Sequence, residues 1–115
     1  MPLEIIYVDD EPKICEMFED TFTSASIHIK TFIDPALAID YINEHRPDLV
    51  FLDFRFPGTT GDIIAKKLDP SLPKVLVTGD LEVVTQAVFI EKFQKPFPWK
   101  KIEAFLSEWA ERKVA

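Results

Sequence analysis

Asp53 closes the apolar run Leu49-Val50-Phe51-Leu52. Three other apolar runs end in polar residues. Ile5-Ile6-Tyr7-Val8 runs into Asp9-Asp10-Glu11, Lys74-Val75-Leu76-Val77 into Thr78-Gly79, and the stretch from Phe89 to Phe93 into Lys95-Pro96. Buried strands that each end this way form the pattern of a parallel sheet with its polar ends at one edge. The ligand crevice of such a sheet lies beyond the carboxyl ends of its strands. Three aspartates, a hydroxyl and a lysine therefore meet in one small site. Clustered carboxylates repel one another, and desolvation raises the cost. A hard divalent cation relieves both, and Mg²⁺ takes oxygen ligands while keeping several waters. A carboxylate beside such a cation can attack phosphorus. The cation, the hydroxyl and the ammonium can stabilise the oxygens of the transferred phosphoryl group.

Four groups of residues stand in order along the chain: Val8-Asp9-Asp10-Glu11; Asp53 with Phe56-Pro57 and Gly61; Thr78; and Lys95-Pro96-Phe97. On these the chain resembles, over essentially its whole length, the receiver domain of bacterial two-component response regulators. The resemblance implies that Asp53 is the phosphoacceptor and that Thr78 and Lys95 contact the phosphoryl group. It implies a Mg²⁺ held by Asp10, Asp53 and the backbone carbonyl of Arg55, with Asp9 helping through water. A cis Lys95-Pro96 bond is a further expectation. The implied phosphodonor is a histidine kinase or a histidine phosphotransfer protein. An output protein reads the result, and a weak homodimer is an additional expected association. Plainer roles remain open for some of these residues. Asp9 and Asp10 could cap a helix, Glu11 suits a first helical turn, and Thr78 suits a strand.

The elements that must position these groups are legible from periodicity. Strands are expected over about Glu4–Val8, Ile27–Ile33, Leu49–Asp53, Lys74–Thr78 and Phe89–Phe93. A first helix starts near Glu11-Pro12, with Ile14, Met17, Phe18, Thr21 and Phe22 on its stripe. Asp34-Pro35 reads as an N-cap and first helical position, and Pro47 as the stop of that helix. A third helix covers about Asp62–Leu68 and a short fourth part of Asp80–Ala87. The fifth runs from near Pro98 to about Arg112, with Ile102, Phe105, Leu106 and Trp109 inward. The alternation gives an α/β, doubly wound, five-stranded parallel sheet with helices on both faces, flavodoxin-like, its third and fourth helices short. The strand order 2-1-3-4-5 is implied by the resemblance alone.

The chain has 115 residues, a net charge of -7 and 47% hydrophobic residues. This suits one compact domain, residues 1 to 115, with no output domain. Scattered lysines and arginines argue against direct nucleic-acid binding. No apolar stretch reaches the length of a membrane span, and a cytoplasmic location follows. The single cysteine, Cys15, fits a reducing compartment and reads as a small helix residue at the edge of the packed face. His28 and His45 lack partners at ligand spacing and read as solvated.

Three functions compete. The leading one is a stand-alone receiver that is phosphorylated on Asp53 and signals through a protein partner. The second is a receiver-like interaction module that works without phosphorylation. Its motives are the short fourth helix and Lys92, which stands three before Lys95 where the family carries an aromatic switch; Phe93 comes one later, on the opposite face. The third is an enzyme, a phosphatase with an aspartyl nucleophile. Such a phosphatase needs a second carboxylate two residues after the first, and Arg55 stands there, so the chain is not expected to be an enzyme. Arg55 and Asp80 carry opposite charges on either side of the acceptor and are expected to pair across the mouth of the site. Trp99 falls off the last helix's stripe and is a candidate partner contact.

Overall fold

The computed structural model describes residues 2–80 and 82–114. In chain order it comprises β1 (Leu3–Val8), α1 (Pro12–Phe22), β2 (Ile27–Phe32), α2 (Pro35–His45), β3 (Leu49–Asp53), β4 (Arg55–Phe56), β5 (Thr59–Thr60), α3 (Gly61–Lys66), β6 (Lys74–Thr78), β7 (Glu91–Gln94) and α4 (Trp99–Val114). Five strands form one parallel sheet in the order β2-β1-β3-β6-β7. Counting only these five, that is the expected 2-1-3-4-5. The short strands β4 and β5 make a separate antiparallel hairpin.

Helices cover both faces. Tyr7, Phe51, Val75, Val77 and Phe93 point to the side of Phe18 and Phe22 from α1 and Ile102 and Leu106 from α4. Ile6, Val8, Val50 and Leu52 point to the side of Ala38 and Ile42 from α2 and Ile64 and Ala65 from α3. The alternation inside each strand thus feeds two cores, which is why the central strands read as unbroken apolar runs. Edge strand β2 alternates between half-buried and exposed positions instead.

Local chemistry sets the helix ends. Pro12 and Pro35 occupy the first turns of α1 and α2. The Asp34 carboxylate accepts the Ala36 N–H at 2.9 Å, and the Thr60 hydroxyl accepts the Ile63 N–H at 3.2 Å. Helix α2 ends at Arg46, which is left-handed with φ of 51°. Pro47 acts through this residue, because a proline disfavours helical geometry just before it.

One expected helix is absent. No helix forms among the described residues between Asp80 and Ala87, and the last strand begins at Glu91, two residues later than expected. Chain length explains the loss. Only residues 79 to 90, twelve in all, connect β6 to β7. Returning along a strand of five residues covers about 17 Å. A helix needs about eleven residues for that distance, before any are spent on the turn at each end. An extended chain needs about five, and the β-branched run Val83-Val84-Thr85 favours extension. The segment is held as a ribbon: the Asp62 carboxylate accepts the N–H groups of Gln86 and Ala87 at 3.0 and 2.8 Å. Ala87 and Phe89 pack inward, whereas Val84 and Val88 are exposed.

Candidate functional site

Asp9, Asp53, Thr78 and Lys95 stand at the carboxyl ends of β1, β3, β6 and β7. The register puts Asp53 beside Val77 and Thr78 beside Gln94, so the polar ends are level. With Asp10, Glu11, Arg55, Gly79 and Asp80, three of these four (Asp53, Thr78 and Lys95) line a cleft of about 330 Å³. Asp9 lies beneath it, fully buried.

Lysine 95 ties the acids together. Its Nζ lies 2.8 Å from Asp9 Oδ2 and 3.2 Å from Asp53 Oδ1. The Lys95-Pro96 bond is cis, and the Lys95 N–H donates to the Thr78 carbonyl at 2.8 Å. Burial pulls the Lys95 ammonium down, but the Asp9 hydrogen bond and the charges of Asp9 and Asp53 outweigh it and hold it above its ordinary value. Burial and the charge of Asp9 push the Asp53 carboxyl above the usual carboxylate range, with Lys95 opposing them. Thr78 is buried, and its hydroxyl accepts the Asp80 N–H at 3.2 Å.

The three acids fit a divalent cation by the chemistry of the donor set. One oxygen from each of Asp9, Asp10 and Asp53 lies within 4.8 Å of the others. They are not equivalent. Asp9 Oδ2 already accepts from Tyr7 and Lys95, and Asp9 Oδ1 accepts the Glu11 N–H at 3.0 Å. Among the described residues nothing donates to the Asp10 carboxylate. Glu11 is exposed and precedes Pro12 as the N-cap of α1, without a side-chain cap bond.

Tyr7 was not singled out by its sequence. It is fully buried, and its hydroxyl donates to Asp9 Oδ2 at 2.9 Å. The signal was available: Tyr7 stands two before Asp9, hence on the same side of the strand. Cys15 is buried rather than at the edge of the packed face, with its thiol 3.4 Å from the Asp9 carbonyl.

The expected Arg55–Asp80 pair does not form. The Arg55 guanidinium lies over the Phe54 ring, 5.7 Å from its centroid, and Asp80 accepts the Glu82 N–H at 2.9 Å. Each group has a nearer partner on its own loop, so charge sign alone did not decide the contact. Phe93 is buried, parallel to Phe51 and edge-on to Phe105. Lys92 faces the other side of the sheet, beside Leu76, and is half-buried. His28 and Glu4, both exposed, lie 3.6 Å apart, and His45 stacks on Tyr41; neither histidine reaches the cleft. Trp99 is 52% exposed and borders an apolar hollow with Met17, Phe22 and Phe97.

This sheet order and this carboxyl-edge cluster define a CheY-like receiver. The family model of the response regulator receiver domain matches residues 5–104, and the chain belongs to that family. Among curated relatives, the DNA-binding response regulator MtrA of Mycolicibacterium smegmatis is 30% identical over 111 residues, which are 90% of this chain and 49% of MtrA. The transcriptional regulatory protein BaeR of Escherichia coli is 28% identical over 89 residues, 76% of this chain and 37% of BaeR. The chain therefore spans about half the length, or less, of these relatives.

Solved structures agree on the fold. A receiver domain from Methylobacillus flagellatus superposes with a TM-score of 0.83 at 18% identity, covering 95% of this chain and 99% of the other. The receiver of sensor histidine kinase PA1611 from Pseudomonas aeruginosa, solved with a magnesium ion in its active-site cleft, gives 0.82 at 22% identity and covers 96% and 99%. No helix among the described residues is long and apolar enough to cross a membrane.

Proposed function

We propose that Asp53 accepts a phosphoryl group from the phosphohistidine of a histidine kinase or phosphotransfer protein, and that a protein partner reads the result. An Asp53 carboxylate oxygen attacks phosphorus, the P–N bond breaks, and the histidine leaves with its electron pair and takes up a proton. The observation that carries this reading is Lys95 Nζ, placed 3.2 Å from Asp53 Oδ1 at the cleft and 2.8 Å from the buried Asp9. It supplies a fixed positive charge where the phosphoryl oxygens gather. Thr78, at the next strand end, supplies a hydroxyl. Mg²⁺ would be held by Asp10, Asp53 and the Arg55 carbonyl, with Asp9 acting through water, and would supply charge neutralisation between the carboxylate and the incoming phosphate.

The test is electrophoretic retardation on a phosphate-binding gel after incubation with acetyl phosphate and Mg²⁺, and separately with a phosphorylated kinase. The parent is retarded and Asp53→Asn is not. Retardation of Asp53→Asn would move the acceptor elsewhere. The alternative, an interaction module independent of phosphorylation, draws on Lys92 in place of the aromatic switch. A parent that is never retarded by either donor would favour it.

A further inference from the structure

We propose that Tyr7 is a positioning residue that keeps Asp9 out of direct cation contact and so sets the site for Mg²⁺ against larger divalent cations. The inference rests on the reading of the carboxylate cluster as a cation site. Tyr7 is fully buried, its ring stacked on Phe18 at 4.3 Å and edge-on to Phe97 at 6.0 Å. Its hydroxyl is thereby aimed at Asp9 Oδ2, which also takes the Lys95 ammonium. A carboxylate offers about four lone-pair directions. Tyr7, Lys95 and the Glu11 N–H together take three of those on Asp9. A cation ligated by Oδ2 would have to displace a buried hydroxyl from its carboxylate, which is costly. The direction left on Asp9 is on Oδ1, beside the Glu11 N–H; Asp10, to which nothing donates among the described residues, and Asp53 are the readier direct ligands.

Two carboxylates suit Mg²⁺, which binds through one or two of them and keeps its waters. Ca²⁺ takes six to eight oxygens and gains more from a third acid. Replacing the Tyr7 hydroxyl by hydrogen leaves Lys95 as the one donor on Asp9 Oδ2 and opens a direction there for that third acid.

Calorimetric titration with MgCl₂ and with CaCl₂ tests this on the parent, Tyr7→Phe, Tyr7→Leu and the double variant Tyr7→Phe/Asp9→Asn. Tyr7→Phe keeps the stacked ring. Its Ca²⁺-to-Mg²⁺ affinity ratio is expected to rise by about tenfold, the scale on which outer partners tune metal affinity. Tyr7→Leu should show the same rise together with a lower melting temperature, and the double variant should lose the rise because it passes through Asp9. An unchanged ratio in Tyr7→Phe, in a parent that binds Mg²⁺, overturns the inference alone. A change in Tyr7→Leu without one in Tyr7→Phe overturns it too, by assigning the effect to packing. A parent that binds neither cation overturns the cation reading and this inference with it.

Discussion

Gly61 packs its α-carbon against the backbone carbonyl of Asp53 so closely that a side-chain carbon there would overlap that oxygen. The contact is backed by the Gly61 N–H, which donates to the Phe54 carbonyl at 2.7 Å. The first residue of α3 is thus seated on the strand end that carries Asp53, the proposed acceptor. Gly61→Ala should cost about 1–3 kcal/mol, as overpacking does, and should slow phosphorylation by displacing Asp53. Gly79 lines the cleft but has open space around its α-carbon, so Gly79→Ala is the control for stability alone. Urea unfolding of the two variants and gel retardation of Gly61→Ala check this. Equal stability would mean that the close approach is relaxed cheaply.

The ribbon between β6 and β7 should come loose when its clip is cut. Asp62 holds two backbone N–H groups, and the Lys66 ammonium donates to the Gln86 side chain. Asp62→Ala should cost about 1 kcal/mol, since hydrogen bonds to a partly exposed carboxylate stabilise modestly. Amide exchange at residues 84 to 88 should rise at least several-fold while β3 and β6 stay protected. Uniform loss of protection would show that the clip holds the whole domain rather than one segment.

Phe93 and Lys92 should differ sharply although they are neighbours. Phe93→Ala removes a ring packed against Phe51 and Phe105 and should cost about 3–5 kcal/mol. Lys92→Ala should cost no more than about 1 kcal/mol, since a half-buried lysine contributes mainly its stem. A phosphoryl mimic should change amide exchange at residues 79 to 88 more than along β7. The opposite distribution would show that Lys92 has kept the role of the switch.

Stability should fall in alkali through Cys15. Burial and the charge of Asp9 push its thiol up to about 11 from 9.0. The folded state therefore holds this proton after the unfolded state has released it, so stability declines as pH rises from 9.0 towards 11. Below that window the thiol is protonated in both states and contributes no pH dependence. Cys15→Ala should flatten this part of the curve. Parallel curves for parent and variant, from urea midpoints at several pH values, would refute the assignment.

The fold and the site differed in how far their sequence exposed them. Asp9, Asp53, Thr78 and Lys95 could be read because each ends an apolar run, and a parallel sheet turns that one-dimensional rule into a place. Asp34 before Pro35 marked a helix start because capping is local chemistry. The helix expected in residues 80 to 87 does not form, because the length of the whole connection decides and not the composition of that stretch. Arg55 and Asp80 were paired by charge sign, although each side chain had a partner nearer in sequence. Tyr7 reads as one more core residue among apolar neighbours, and its one signal is its place two before Asp9, on the same side of the strand.

The extended crossover makes the site sensitive to insertion and deletion in unequal ways. A parallel pair needs a connection of about a dozen residues, and of the twelve between β6 and β7 about five span the return and the rest make the turns at its ends. Lengthening this segment is inexpensive, since doubling a loop costs only about 0.6 kcal/mol in closure entropy. Removing three or four residues would instead stop β7 from lying alongside β6 in the same direction. Lys95 follows directly on β7, so such a deletion would carry the ammonium away from Asp9 and Asp53 without touching any residue of the cleft. The tolerance of this chain to length change therefore runs one way.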